Sequence, residues 1–407
     1  MAKAKTPTGL RVTYALAVHG EEEEKRVLQV MREHRTNMGK ETKEFEERTS
    51  EAFGSKYGVM VNSGSAANLV AVELMDLPAG SEVITPILTF ATTVAPLVQK
   101  GLVPVFADVI EGKYVIDVDQ IEQLITKKTR ALMIPLLFGN VPDMERLAKI
   151  AKKHNLFFIA DSCDTFGATY KGKLVGKYAD ATTTSFFGAH IITTGGNGGM
   201  VMVNTKEWYD KARMLRGWGR SSSIFSESES VDKRFGYKLD GIEYDAKFIF
   251  DIIGYNLLPN EMCAAFGNVQ LDRLPKFKKT REKNFAQLQK FFKKYENFFI
   301  IPIQDKEVET QWMNFPLVIR EGAPFERIPL VKFLEGNNIQ TRPLFTGNIL
   351  KQPGFKNIKH KVQKGGFPIT DAAMERGLLI GCHHGMEKEH VEKLENTFDE
   401  FLKPYVK

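Results

Sequence analysis

From about residue 56 onward, short runs rich in β-branched residues alternate with longer segments of helical periodicity. We predict strands at 57–61, 82–85, 103–108, 131–135, 157–161, 182–186 and 199–203. Alternation of this kind is typical of βαβ units on a mostly parallel sheet. The runs are almost continuously apolar, as expected for strands that helices cover on both faces. The pattern therefore predicts an α/β fold.

The rest of the chain has a different pattern. A helix is predicted at 205–217, and the polar, Gly- and Ser-rich stretch 219–245 is a predicted loop, a place where function often resides. A long helix follows at 261–296, then strands at 315–319 and 377–381, and an amphipathic helix at 387–402. At 407 residues and 43% hydrophobic content, we expect two domains, at 1–270 and 271–407.

Composition excludes several classes of protein. The net charge of +6 comes from dispersed Lys and Arg without a basic block, so we expect no nucleic-acid partner. Cys163, Cys263 and Cys382 lie far apart and form no CxxC pair, which predicts neither disulfides nor a metal site. No stretch reaches the roughly 18 apolar residues of a membrane span, and no apolar core follows the charged start. We expect a cytoplasmic protein without membrane contact.

Three segments carry candidate chemistry. Small residues at 62–68 follow a predicted strand and precede a helix, which is the geometry of an anion site or of an ordinary capped turn. Asp161 ends a strand where open α/β sheets bind ligands, although such an Asp is usually a helix cap. His190 lies between a strand and the glycine-rich stretch 195–199, where the backbone can approach a ligand closely.

The ordered motifs NSGSAANL, DSCDTFGA, SFFGAHIITTGGNGGM and GYNLLPNEMCAAFGNVQLDRL resemble the sugar aminotransferase and dehydratase family of pyridoxal-phosphate enzymes of fold type I. The similarity extends from about residue 10 to 402. It implies an aspartate-aminotransferase-like fold, in which a mostly parallel sheet forms a large cofactor-binding domain and a smaller α+β domain follows. It also implies pyridoxal 5'-phosphate or pyridoxamine 5'-phosphate as the cofactor.

The resemblance assigns residues to the cofactor phosphate. Gly64, Ser65 and Ala66 match the phosphate-binding turn, and Ser185 matches a second phosphate-contacting hydroxyl. A phosphate dianion requires several such donors. Asn256 matches a residue that reaches the phosphate of the neighbouring subunit, which implies a homodimer, although an Asn in a turn is the simpler alternative.

Three further residues match positions around the cofactor ring. Phe90 matches the aromatic residue that stacks on the pyridine, and Asp161 matches the carboxylate that keeps the ring nitrogen protonated, which makes the ring an electron acceptor. Asp164 occupies the position near the ring hydroxyl where the family usually has Gln.

His190 is the principal departure from the family. The aminotransferases have at this position the lysine that forms the Schiff base, and no Lys occurs between residues 178 and 205. Imidazole cannot form that bond, but it can transfer protons near neutral pH. Histidine here resembles the 3-dehydratases of 3,6-dideoxysugar synthesis, which hold their cofactor without a covalent bond. The alternative is a family member that lost both lysine and activity.

One branch of those dehydratases has an iron–sulfur cluster. The chain resembles that branch at 217–220 and 233–236, and Cys163 matches its first cluster cysteine. However, no cysteine occurs between residues 164 and 262, and a cluster requires about four thiolates. We therefore predict that there is no cluster and no metal.

The resulting functional hypothesis is a cluster-independent 3-dehydratase of a nucleotide-diphosphate 4-keto-6-deoxyhexose. His190 would take a proton from the cofactor and glutamate would restore the amine. Arg342 resembles a family position near the substrate, although a surface salt bridge or a turn is an equal alternative. Two alternatives stay open: a sugar aminotransferase without a covalent lysine–cofactor bond, and a non-catalytic cofactor-binding homologue. Nucleotide, sugar and pathway stay open too, with lipopolysaccharide and secondary metabolites both compatible.

Overall fold

The computed structural model of the chain describes residues 9–225 and 231–406. The first eight residues, and residues 226–230 of the predicted loop, lie outside the described residues. The helices are α1 Glu21–Arg32, α2 Lys40–Phe53, α3 Gly64–Leu74, α4 Ala91–Gln99, α5 Ile121–Leu124, α6 Met144–His154, α7 Lys206–Arg216, α8 Val231–Arg234, α9 Glu261–Lys293, α10 Arg327–Gly336, α11 Pro368–Arg376 and α12 Lys388–Leu402. The strands are β1 Tyr57–Val61, β2 Glu82–Pro86, β3 Val103–Ala107, β4 Thr129–Pro135, β5 Phe157–Asp161, β6 Thr169–Tyr170, β7 Lys173–Leu174, β8 Ala181–Ser185, β9 Gly199–Val203, β10 Tyr237–Leu239, β11 Ile242–Tyr244, β12 Phe299–Ile300, β13 Val308–Glu309, β14 Asn314–Ile319, β15 Lys361–Val362 and β16 Gly377–Gly381.

An eight-stranded sheet organises the first part of the chain, in the order β1-β9-β8-β5-β4-β2-β3-β15. Within it, β9 runs antiparallel to both of its neighbours, and the other described pairs are parallel. The strands are almost entirely buried, because helices cover both faces. The predicted mostly parallel α/β sheet is confirmed, and its carboxyl edge is where a ligand is expected.

Two helices before the sheet escape prediction from the sequence. Both α1 and α2 are highly charged, and the residue before α2, at the N-cap position, is Gly39, which has no side chain to cap the helix. Glu261, the first residue of α9, caps it instead by accepting hydrogen bonds from the N–H groups of Gly39, Glu41 and Thr42 at 2.7, 2.6 and 3.1 Å. This helix start therefore depends on a residue more than 200 positions away in the chain.

The predicted loop at 219–245 contains more regular structure than expected. Strands β10 and β11 form an antiparallel hairpin, and α8 precedes them. Nine large apolar side chains in and around this hairpin are exposed: Val231, Phe235, Tyr237, Leu239, Ile242, Tyr244, Phe248, Phe250 and Ile253. The sequence did not predict this hairpin, because its strands are only three residues long and lie in a stretch of polar composition.

The C-terminal part has its own sheet and core. Strands β12, β14 and β16 form a three-stranded sheet, and a cluster rich in phenylalanine packs beside it. Helix α9 continues without a break across residue 270, and Val12 from the N-terminal segment pairs with Ile339 and belongs to the same cluster. The division at 270 stays a prediction. Within 9–225 and 231–406, no helix is long and apolar enough to cross a membrane.

Candidate active site

A cavity of about 350 Å³ lies at the carboxyl ends of β5 and β8, beside the start of α3. Seven of the residues singled out from the sequence line it: Gly64, Ser65, Phe90, Asp161, Asp164, Ser185 and His190. Other lining residues come from the same segments or from distant parts of the chain: Tyr14, Ser63, Asn68, Thr92, Thr93, Cys163, Phe187, Ala189, Asn197, Met313 and Phe345. The fold thus brings the separate motifs to one place.

The turn before α3 has the properties of an anion site. Ser63 caps the helix, and its Oγ accepts a hydrogen bond from the N–H of Ala66 at 3.1 Å. The N–H groups of Gly64 and Ser65 have no partner in the described parts of the chain, as is usual in a first helical turn. A side chain at Gly64 would lie 2.5 Å from the Cβ of Ser185, so only glycine lets the turn approach that serine. The result is a set of free donors at a helix N-terminus.

Asp161 is held by side chains that orient it. Its Oδ2 accepts hydrogen bonds from Asn68 and Thr93, both at 2.8 Å, and Asn68 in turn accepts one from Thr183 at 2.6 Å. Its Oδ1 accepts a hydrogen bond from the N–H of Cys163 at 3.2 Å. One carboxylate oxygen is thus locked and the other retains unused acceptor capacity on the cavity side. That is suitable for binding a protonated ring nitrogen.

Asp164 has a different environment, although it lines the same cavity. It is buried, and the N–H of Phe138 donates to its Oδ2 at 3.0 Å. Burial, together with the nearby negative charge of Asp161, raises the pKa of Asp164 to about 7, despite the hydrogen bond from Phe138. A carboxyl group with this pKa carries its proton mainly below about pH 7, and in that state it can donate a hydrogen bond that a carboxylate cannot.

His190 lies on a turn after β8. Its Nδ1 is 3.3 Å from the carbonyl oxygen of Ser185, and because a carbonyl only accepts, Nδ1 carries the proton and Nε2 has a free lone pair. Removal of the imidazole from water lowers the pKa of His190 to about 4. The neutral form therefore predominates above about pH 5, and it is the form that accepts protons.

Aromatic side chains form the mouth of the cavity. Phe90 and Phe187 are each 53% exposed, which is unusual for phenylalanine and leaves their ring faces available to a planar ligand. Phe345, from the C-terminal part, meets Phe90 edge to face with ring centroids 5.8 Å apart. These rings are positioned to cover a flat ring bound near Asp161.

Comparison with known proteins agrees with this geometry. The profile of the DegT/DnrJ/EryC1/StrS aminotransferase family matches residues 18–399. The chain belongs to this family. It is 37% identical over 369 residues to the lipopolysaccharide biosynthesis protein RfbH of Salmonella typhimurium, covering 88% of this chain and 84% of that protein. It is 34% identical over 373 residues to the GDP-4-keto-6-deoxy-D-mannose 3-dehydratase of Yersinia pseudotuberculosis, covering 88% and 91%.

A solved structure of the DegT/DnrJ/EryC1/StrS family has the same fold. The E. coli GDP-4-keto-6-deoxy-D-mannose-3-dehydratase with bound hydrated PLP superposes with a TM-score of 0.85, at 28% identity, covering 95% of this chain and 100% of that one. The prediction of an aspartate-aminotransferase-like fold is confirmed. The chain is an enzyme of a pyridoxal-phosphate-dependent family whose members include sugar dehydratases and aminotransferases.

Three residues predicted for the site do not line the cavity. Ala66 is buried in the first turn of α3, Asn256 is exposed on the segment after the hairpin, and Arg342 is exposed near the cavity. The guanidinium of Arg342 lies 5.4 Å from the ring centre of Tyr14, which does line the cavity. The positions of Asn256 and Arg342 leave their predicted roles untested.

Analysis of the sequence missed several residues of the site. Asn68 carried a signal, because it lies one helical turn after Gly64 and so faces the same side of α3. Tyr14, Met313 and Phe345 carried none, because their segments reach the cavity only through the tertiary fold. No group of three or more His, Cys, Asp or Glu side chains is placed to hold a metal ion within the described ranges.

Proposed function

We propose that this enzyme is a 3-dehydratase of a nucleotide-diphosphate 4-keto-6-deoxyhexose that binds its cofactor without a covalent bond and without an iron–sulfur cluster. The observation that carries the proposal is His190, an uncharged imidazole with a free Nε2 in the cavity where the family's lysine is expected. Imidazole transfers protons but forms no imine with an aldehyde, which favours proton transfer over covalent cofactor binding.

The residues of the cavity suit pyridoxamine phosphate. The N–H groups of Gly64 and Ser65 and the hydroxyl of Ser185 would hold the phosphate. Oδ1 of Asp161, which accepts one hydrogen bond from the N–H of Cys163 and has acceptor capacity left, would bind the protonated ring nitrogen, and Phe90 would cover the ring. The bound cofactor supplies an amine that condenses with the ketone and a ring that accepts electrons.

His190 would then act at a single atom. The hydrogen bond from Nδ1 to Ser185 fixes the tautomer, so Nε2 is the nitrogen that removes and returns a proton. The hydrogen bonds of Asn68 and Thr93 to Oδ2 hold the Asp161 carboxylate in place, so it would keep the nitrogen of a bound ring protonated. Asp164 would serve as a hydrogen-bond donor near the ring hydroxyl. Arg342 at the cavity mouth would meet the anionic substrate.

The named relatives support the choice of substrate class. The Yersinia pseudotuberculosis protein is named for GDP-4-keto-6-deoxy-D-mannose, and a Saccharopolyspora spinosa protein, 34% identical over 397 residues, for dTDP-4-dehydro-2,6-dideoxy-D-glucose. A solved 3-dehydratase, 27% identical, was captured with PLP and glutamate trapped together, which supports glutamate as the amino donor here. We place the reaction in the cytoplasm.

A homodimer is part of the proposal. The exposed apolar side chains of the hairpin region form the kind of surface that a second copy of the chain would cover. Asn256, which follows this region, would then reach the phosphate of the other subunit. Sedimentation velocity tests this directly, and a dimer that dissociates after Ile253→Asp and Ile242→Asp would place the interface there.

A sugar aminotransferase is the second candidate. GDP-perosamine synthase of E. coli O157:H7 is 31% identical over 367 residues, so the same scaffold serves a second reaction in relatives. Here the cofactor would exchange freely between its two forms. A non-catalytic homologue is the third alternative, and any cofactor turnover by the purified protein would exclude it.

One experiment separates these candidates. The protein is incubated with a panel of nucleotide 4-keto-6-deoxysugars, pyridoxamine phosphate and glutamate, and product mass is recorded. Loss of the C3 oxygen supports the dehydratase, whereas a new amine at C4 with the C3 hydroxyl retained supports the aminotransferase.

Two simpler measurements test cofactor and cluster. Treatment with borohydride should leave the cofactor dialysable, and a stable adduct near residue 190 would contradict non-covalent binding. Stoichiometric iron and sulfide after anaerobic purification would contradict the predicted absence of a cluster.

A further inference from the structure

Arg281, on α9, is a buried cation in an unusual environment. Arg281 is only 1% exposed. Among the described residues, no Asp or Glu oxygen lies within ion-pair distance of its guanidinium. Its hydrogen bonds go to neutral acceptors. Nη1 donates to the carbonyl oxygens of Trp312 and Met313, both at 3.1 Å, and Nε donates to Nδ1 of His384 at 3.1 Å.

The fourth contact connects Arg281 with the candidate base. Nη2 donates to the carbonyl oxygen of His190 at 3.4 Å. Since Met313 and His190 both line the cavity, a single guanidinium joins two of its walls, one from the β8 turn and one from the start of β14. The planar fork of arginine, with five N–H donors, makes this possible, whereas a lysine has one nitrogen only.

The charge of Arg281 also acts on neighbouring groups. The groups that face it are His190 on the β8 turn and Cys382, His383 and His384 after β16. Burial is the main cause of the low pKa of His190, the hydrogen bond to Ser185 and the charge of Asp161 oppose it, and the charge of Arg281 lowers it by the smallest of these contributions. Burying a cation without a carboxylate is costly, so a chain that does so has a use for the positive charge or for the geometry.

We propose that Arg281 is a positioning residue for His190, which ties the turn carrying the imidazole to the wall at Met313 and holds an uncompensated positive charge near that turn. The proposal rests on the proposed role of His190 as the base. One test uses the protein without cofactor or substrate and the other uses the complete reaction. A failure of the role proposed for Arg281 can therefore be distinguished from a failure of the role proposed for His190.

The first test is an NMR titration of histidine-labelled protein without cofactor, in which His190→Asn identifies the signal. In the natural chain the pKa of His190 should lie well below 6.5. In Arg281→Met the pKa of His190 should rise by a small but measurable amount, because the positive charge that lowers it has been removed. Arg281→Lys keeps the charge and should leave the titration unchanged. A His190 that titrates near 6.5 in the natural chain, or identically in Arg281→Met, overturns the electrostatic part.

The second test separates positioning from charge. Arg281→Lys loses the fork, so kcat for the substrate identified above should fall roughly tenfold with KM little changed. A normal kcat in this variant overturns the positioning part. Should Arg281→Met not fold, Arg281→Gln, which also removes the charge but keeps a hydrogen-bond donor, takes its place in the titration.

Arg216 provides a matched control. It is also buried, and it donates to Glu46 at 2.6 Å and to the carbonyl oxygen of Met60 at 2.8 Å, but it does not line the cavity. Arg216→Met should lower stability without shifting the His190 signal. An equal shift in both variants would show a general effect of losing a buried arginine and would overturn the proposal.

Discussion

The two sides of the cavity differ in origin and chemistry. One side, which we call the strand-end side, consists of residues 63–68, 161–164 and 185–190, and it carries free N–H donors, two carboxyl groups and an imidazole. The other, the distant side, consists of Tyr14, Met313 and Phe345, and it is mainly apolar. We propose that the strand-end side performs the chemistry and that the distant side shapes the space for the substrate. Substitutions on the two sides should therefore affect different kinetic constants.

The largest effect is expected from His190→Asn on the strand-end side. The amide still donates to the carbonyl of Ser185, so cofactor should bind normally, but the proton acceptor is lost. Turnover should fall about 10²- to 10⁴-fold, which is about 3 to 5 kcal/mol in barrier height. Product formation and cofactor absorbance measure the two quantities. His154→Asn, on the surface beside Glu122, is the control. Unchanged turnover in His190→Asn would remove the proposed base.

The pH dependence of the rate gives an independent check of His190. Because burial lowers the pKa of His190 to about 4, protonation of this residue should reduce the rate only below about pH 5. Folding stability should change with pH in the same direction. An imidazole with a depressed pKa contributes to the stability of the folded state above about pH 6.5, and that contribution is lost as the pH falls towards 4. A fall in kcat/KM centred near pH 6.5 would argue for an ordinary histidine.

Asp164→Asn should have the next largest effect, on stability. The folded pKa of about 7 lies above the unfolded value of 3.8, so the contribution of Asp164 is fully present below about pH 4 and is lost as the pH rises through 7. The Asn variant should therefore gain stability relative to the natural chain over this range, by no more than about 4 kcal/mol. Urea unfolding at pH 5 and pH 8 measures the difference.

Asp180→Asn controls for the loss of a hydrogen bond between a carboxylate and a backbone amide. Asp180 accepts from the N–H of Phe158 at 2.8 Å at an exposed position. If the pH dependence of Asp164→Asn equals that of the natural chain, Asp164 is an ordinary carboxylate and its proposed role as a hydrogen-bond donor fails.

Ser63→Ala should have a smaller effect. Removal of this helix cap should cost about 1 kcal/mol of stability and also weaken cofactor affinity, because the first turn of α3 holds the phosphate donors. Thr205 caps α7 in the same way, accepting from the N–H of Trp208 at 3.3 Å, far from the cavity in the fold. Thr205→Ala should show a similar loss of stability and normal affinity. Equal affinities in both variants would argue against a phosphate site at this turn.

The smallest effect is expected on the distant side, from Tyr14→Phe. The hydroxyl of Tyr14 donates to Asn314 at 3.2 Å, and losing it should cost about 1 kcal/mol or less. We expect KM to rise a few-fold while kcat is retained. Tyr178→Phe, which removes a hydroxyl that donates to the carbonyl of Tyr170 at 2.8 Å, is the control. A fall in kcat with constant KM would place Tyr14 in the chemistry and break the proposed division of the cavity.

The division of the cavity into a strand-end side and a distant side also separates the residues that the sequence could predict from those that it could not. The strand-end residues follow buried strands directly, and the carboxyl ends of parallel strands meet at one edge, so their proximity follows from the βαβ pattern. The family resemblance then supplied the roles proposed for Asp161 and His190. Helices α1 and α2, by contrast, were not predicted although both are amphipathic, because they precede the βαβ alternation on which the prediction was based, and α2 depends on the distant Glu261 for its cap.

The sequence by itself therefore determined the parallel sheet, the family and the substitution of histidine for lysine at residue 190, since these depend on local patterns and residue identity. Only the tertiary structure decided that Asp161 and Asp164, three residues apart, have different hydrogen-bond partners, and that Arg281 reaches the turn of His190. The physical reason is that burial and hydrogen-bond partners set charge and geometry, and both arise from contacts between segments distant in the chain.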